Sequence, residues 1–243
     1  KIKETGDKIS GVGDKLTKNV TAPIVAVGTA ASAAAISFET SFAKLSTIAD
    51  TSEVSVEDLK NQIMDLSTET GLSASEVSEA AYSAISAGQS TGDALEFVAT
   101  AAKLAKGGFT DVSTATDVLT TALNAYGLSA DKVTHVSDVL IETQNEGKTT
   151  VAELASAMGK VIPTANAYGV ELDQLCAGYA IMTANGVATA ESTTYMNSML
   201  NELGKSGTNV SGILKEKTGQ SFAELMESGS SLSEVLAIIE GAA

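Results

Sequence analysis

His135 is the only histidine in the chain, and it lies between Asp131 and Asp138. Residues three and four apart share one face of a helix. The three side chains could together hold a weak metal ion, but in so acidic a chain they read as a solvated acidic face. The paired histidines of a zinc protease are impossible with one histidine. A Ser-His-Asp triad would have to recruit His135, and the expectation is that no Gly-x-Ser-x-Gly nucleophile elbow accompanies it. Carboxylates are too plentiful for any two to stand out as a glycosidase pair. Gly107-Gly108 precedes a helix start, yet no Gly-x4-Gly-Lys-Ser/Thr phosphate loop is present. Cys176 is the single cysteine, which rules out an internal disulfide and reads as a small apolar residue on a core face. The expectation is a non-enzymatic segment without cofactor or metal, with lytic activity conceivable only elsewhere in a longer parent chain.

Charge narrows the partners. The 243 residues carry a net charge of −15, and all 15 bases are lysine. Arginine is the usual reader of phosphates and base edges, so an acidic, arginine-free chain is expected to bind no specific nucleic acid. Residues 1–18 differ from the rest: Lys1, Lys3, Lys8, Lys15 and Lys18 outnumber Glu4, Asp7 and Asp14. Aromatic residues make up 4% and tryptophan is absent, so the core must be built from small side chains that each bury little area.

The elements that position these residues read as helices throughout. From Thr150 to Leu203 apolar residues recur at helical spacing in three runs, closed by Gly169, Gly186 and Gly204. A glycine at the end of a helix can take the left-handed conformation, and the apolar residue after it packs back on the finished helix. That junction recurs as Gly71-Leu72-Ser73, Gly108-Phe109-Thr110, Gly127-Leu128-Ser129 and Gly169-Val170-Glu171, with Ser or Thr at the expected N-cap of the first three. Thr91 is read as the cap of the helix that follows Gly88. Glycines 71, 88, 108, 127, 147, 169, 186 and 204 are spaced like the ends of successive helices about 25 Å long at roughly 1.5 Å per residue. Pro163 is expected to kink the helix that Thr150 and Glu153 open with a capping box. No segment alternates as a strand. The fold class is all-α: a glycine-punctuated array of short antiparallel helices.

The N-terminal fifty residues are of another kind. Ile2, Ile9 and Leu16 are seven apart, the spacing of a coiled-coil seam, with a frayed polar leader as the equal alternative. Pro23 suits the first turn of a new helix. The seam continues through Ile24, Val27, Ala31, Ala34 and Phe38 on an uncharged stretch, residues 24–37, that is too short to span a bilayer. Close packing against another helix is the preferred reading, either within the chain or between copies of it. The expected organisation is a heptad leader over 1–20, a long Ala-rich helix over 21–50, a helical module over 51–204, and loosely structured helices over 205–243. Lys1 at the start and Gly241-Ala242-Ala243 at the end suggest a piece of a longer polypeptide.

The order of short motifs is familiar. Phe38-Glu39, Thr68-Glu69-Thr70-Gly71-Leu72-Ser73, Ala80-Ala81, Ala87-Gly88, Ala101-Ala102-Lys103-Leu104-Ala105, Leu123-Asn124-Ala125-Tyr126-Gly127, Thr149-Thr150-Val151-Ala152-Glu153-Leu154 and Asn185-Gly186-Val187 follow one another. From about residue 38 to 240 this resembles the conserved core of phage tail tape measure proteins, found in long-tailed phages and phage-tail-like bacteriocins. The resemblance implies a structural protein in the lumen of the tail tube. Such a protein sets tail length during assembly and leaves ahead of the DNA into the host envelope. It also implies as partners further copies of itself, a trimer by the symmetry of the tail, together with tail tube and baseplate or tail-tip proteins, assembly chaperones and, after ejection, the host membrane. A coiled-coil interaction scaffold and a membrane-active, pore-forming helical domain are the alternatives. The scaffold requires an unbroken seam; the pore requires that residues 22–37 enter lipid.

Overall fold

The computed structural model describes residues 22–242, and of residues 22–31 the helix alone. Within that range the chain is all helix, without a strand. In chain order the helices are α1 (Ala22–Ser46), α2 (Val56–Thr70), α3 (Ala74–Ser86), α4 (Thr91–Gly107), α5 (Val112–Tyr126), α6 (Val133–Glu146), α7 (Val151–Met158), α8 (Ile162–Ala167), α9 (Leu172–Ala184), α10 (Thr189–Gly204), α11 (Asn209–Thr218), α12 (Phe222–Glu227) and α13 (Leu232–Glu240). A 3₁₀ turn, Ala130–Lys132, leads into α6.

The helices form two layers. One layer runs α1, α3, α5, α7 with α8, then α10, each packed on the one before; the other runs α2, α4, α6, α9 in the same way. Consecutive helices cross between layers, so the module is a stack of pairs: α2–α3, α4–α5, α6–α7/α8 and α9–α10. Its hydrogen bonds show the same period. Asp50 N–H to Thr91, Gly92 N–H to Glu53, Asn124 to the Ala87 carbonyl, Gln144 to the Gly107 carbonyl, Thr149 to Thr189 and Asn166 to the Ala125 carbonyl all join residues 37 to 41 apart. That distance is one helix pair, and a chain whose contacts reach only the neighbouring pair is quasi-one-dimensional.

Small side chains make the layers close. Ala80, Ala81, Ala84, Ala94, Ala101, Ala115, Ala122 and Ala165 are buried, between larger anchors such as Phe97, Leu119, Leu140, Leu154 and Tyr179. Helix starts are fixed locally. Ser73, Ser221 and Ser231 each accept the amide of a glutamate three residues on, and that glutamate accepts the serine's own amide in return. At Thr150 only half of this device forms. The hydroxyl accepts the Glu153 amide, but the Glu153 carboxylate accepts from Thr149 and Thr189 instead, tying α7 to α10.

Five further expectations are corrected. Pro163 does not kink a continuous helix: α7 ends at Met158, and Pro163 sits in the first turn of a separate α8, where its missing amide needs no partner. Ser90, not Thr91, caps α4, and Asp111, not Thr110, caps α5. Residues 205–243 are not loose, since Leu214, Phe222, Leu225, Leu232 and Val235 on α11, α12 and α13 are buried in the continuous core. The fifth concerns Gly108 and belongs with the junctions below.

Candidate functional site

The features singled out by the sequence fall at three places: the N-terminal stripe, the helix junctions and the lone histidine. Of the stripe, Ile2, Ile9 and Leu16 lie outside the described residues, and for Ile24, Val27 and Ala31 the structure describes only their place on α1. Ala34 is exposed. Phe38 is half-buried and turns toward the chain's own core: its ring centroid is 5.6 Å from that of Phe42. The Lys60 ammonium lies 5.5 Å and 5.7 Å from these two rings and pairs with Glu39 at 2.7 Å. The stripe therefore divides, with its lower end, Phe38, Phe42 and Leu45, packed internally and Ala34 facing out.

At the junctions, Gly71, Gly127 and Gly169 have φ of 77°, 63° and 73°. After α5 the Leu128 amide reaches the Leu123 carbonyl and the Gly127 amide that of Asn124; after α8 Val170 and Gly169 make the same pair of bonds. Gly108 does not follow. Its φ is −87°, and the left-handed residue there is Phe109, at φ 52° and 91% exposed. Gly108 is instead a point of close approach: a Cβ there would lie 2.6 Å from the Val151 Cγ2 and 2.9 Å from the Leu104 carbonyl oxygen.

A repeat escaped the sequence reading. Asn124-Ala125-Tyr126-Gly127 recurs as Asn166-Ala167-Tyr168-Gly169. The two asparagines do equivalent work, each donating at 2.7 Å to the carbonyl at the end of the previous helix in its layer, Ala87 and Ala125. Such carbonyls have no partner within their own helix.

No catalytic grouping assembles around the remaining candidates. The His135 imidazole faces Asp173 of α9 at 3.0 Å, not Asp131 or Asp138. Asp131 accepts from Ser129 and lies 3.5 Å from Lys132. Among the described residues no cluster of His, Cys, Asp and Glu is arranged to hold a metal. The expectation that no Gly-x-Ser-x-Gly is present is corrected: Gly88-Gln89-Ser90-Thr91-Gly92 has that form. A nucleophile elbow joins a strand to a helix; here the turn joins two helices, and the Ser90 hydroxyl is engaged as the α4 cap, 2.7 Å from the Asp93 carboxylate. Gly147-Lys148-Thr149 has the end of a phosphate loop without its start, and Thr149 is buried against Thr189 at 2.8 Å. Cys176 is buried, and burial pushes its thiol up to about 12.

Residues 60–243 match the family described as phage-related minor tail protein. The chain is 38% identical over 246 residues to the "Probable tape measure protein" of Clostridium phage phiCD119, covering 97% of this chain and 25% of that one. It is 25% identical over 202 residues to the "Tape measure protein" of Pneumococcus phage Dp-1, covering 83% of this chain and 18% of that one. The chain thus spans a quarter or less of the length of these relatives. No solved structure matches it. A match that runs from within α2 to the last residue places the chain in the phage-related minor tail protein family, among the tape measure proteins of phage tails.

Proposed function

We propose that this segment is a structural module of a tape measure protein that occupies the lumen of the tail tube, contributes to setting tail length, and leaves ahead of the DNA into the host envelope. The observation that carries the reading is the 38% identity to a probable tape measure protein across 97% of the chain. The chemistry is compatible with it. A net charge of −15 without arginine suits a lumen through which DNA must later pass unhindered. A single buried cysteine leaves the chain without an internal cross-link. No described helix is long and apolar enough to cross a membrane. As partners we propose further copies of the chain, associating through the N-terminal stripe as a trimer, together with tube, baseplate or tail-tip proteins, assembly chaperones and the host membrane after ejection.

The test is to duplicate one helix pair, residues 91–126, in the phage gene and to measure tails by electron microscopy. A stack accepts an added pair, because each pair contacts only its neighbours. If the pair stays folded in the stack, tails lengthen by about 10 Å, the spacing of packed helices; if it runs out as continuous helix, they lengthen by about 50 Å at roughly 1.5 Å per residue. Intact tails of unchanged length would remove this segment from length determination.

A further inference from the structure

Among the described residues nothing covers the outer face of α1 over residues 33–37. Residues 33–37 are all exposed, and Ile36 shows 68% of its surface. Upstream, the sequence stays uncharged back to residue 24. An apolar helix face left in water marks an interaction site.

Beside it lies an open groove of about 660 Å³ between α1, α2 and the start of α3. Ala34, Ala35, Phe38 and Ala74 line it, together with Met64, which is 48% exposed. No carboxylate lines the groove, and its one charge, Lys60, is already paired with Glu39. An uncharged helix entering there would strand no unpaired charge, whereas an acidic or basic one would find no partner. Among the described residues, one end of the molecule thus presents both the exposed residues 33–37 and a groove without a carboxylate or an occupant.

We infer that this groove takes residues 24–36 of α1 from a second copy of the chain. The inference rests on the proposed self-association and gives it a geometry. The contact is heterologous, since the segment of one copy meets the groove of the next, and such contacts close into a ring when the rotation between copies allows. It sets the α1 helices side by side, with α2 of each copy flanking its neighbour's α1. Ser37 and Ser75, which also line the groove, are hydrogen-bonded to each other at 3.0 Å, and Ser75 is 3.1 Å from the Ser41 hydroxyl.

The experiment uses the full chain and two variants, Met64→Lys in the groove and Ala31→Asp in the segment, each checked for unchanged helicity by circular dichroism. Light scattering at high micromolar concentration reads the mass. The wild-type chain is expected to associate, and each variant alone to associate about tenfold more weakly or worse. An equimolar mixture of the two is expected to form a heterodimer and nothing larger, because it retains one intact groove facing one intact segment. If the wild type associates and Met64→Lys associates equally well, the groove is overturned while self-association stands. If both variants are monomeric and their mixture is too, the heterologous arrangement is overturned. If the wild type is itself monomeric, both the groove and the self-association it rests on fall.

Discussion

Gly108→Ala is expected to destabilise the module although the backbone there is one that any residue adopts, φ −87°. The cost comes from packing. The added Cβ would lie 2.6 Å and 2.7 Å from the Cγ2 and Cβ of Val151 and 2.9 Å from the Leu104 carbonyl oxygen. Carbon atoms prefer about 3.5–4.0 Å, so the new atom is about an ångström too close. Val151 cannot swing away: it is fully buried, and the atom approached is its own Cβ, next to the backbone. Relief requires moving the first turn of α7, which is held in place. The Val151 amide donates to the Gln144 side chain at 2.9 Å, Gln144 donates to the Gly107 carbonyl, and Thr150 caps the helix. Overpacking of this kind costs about 1–3 kcal/mol, and for a chain of this size each kcal/mol lowers the melting midpoint by about 2–4 °C. The control is Gly159→Ala, where the Cβ would meet only the Thr121 methyl group at 4.0 Å. Both are read by thermal and urea unfolding followed by far-ultraviolet circular dichroism. Equal midpoints for the two variants would refute the close approach at Val151.

Gly212 lies inside α11 with open space around it and no positive φ, so Gly212→Ala should raise stability, by up to about 1 kcal/mol; a lowered midpoint would count against helix there. Gly127→Val should do the reverse, because φ 63° disfavours a β-branched residue even though nothing crowds the site. The carboxyl of Glu76 is held below its ordinary value near 4.5 by the Ser73 hydroxyl and amide, and those of Glu224 and Glu234 by the amides and hydroxyls of Ser221 and Ser231. A carboxyl depressed in the folded state contributes stability above its unfolded pKa that is lost as pH falls through the folded one. Melting midpoints should therefore drop below about pH 4.5, and a Ser73→Ala, Ser221→Ala, Ser231→Ala variant should drop less steeply than the parent. Cys176 should react with a thiol reagent only at the rate of unfolding, since the reactive thiolate is suppressed by burial; rapid labelling of the native chain would contradict its place in the core.

Much of this architecture is carried by local chemistry and was legible for that reason. The cap at Ser73 acts within four residues of chain, and the apolar spacing between Thr150 and Leu203 states the buried faces of α7, α9 and α10 directly. What was not legible depends on distance. Gly108 looks like every other junction glycine until α7 is laid against the end of α4, and only then does Val151 explain it. Ser90 takes the cap from Thr91 because Asp93 is placed to bond it, while the Thr91 hydroxyl is drawn 41 residues back to the Asp50 amide. The pairing of helices was the largest omission. Its trace is present in the two Asn-Ala-Tyr-Gly copies, but each glycine marks one helix, and the true repeat is two helices long.

The nearest-neighbour stack has a mechanical consequence. In a fold tied together end to end, force applied at one terminus must break many contacts at once. Here, through α2 to α10, a pulled pair is held only by the next pair, through bonds such as Asn124 to Ala87 or Thr149 to Thr189. Tension along the chain therefore works on one interface at a time, so the module unzips rather than shatters. Each pair released, about 38 residues, pays out about 130 Å of extended chain at roughly 3.4 Å per residue, while the pairs still stacked keep their cores closed. A body wider than a channel can pass through it in that way at the force of a single interface.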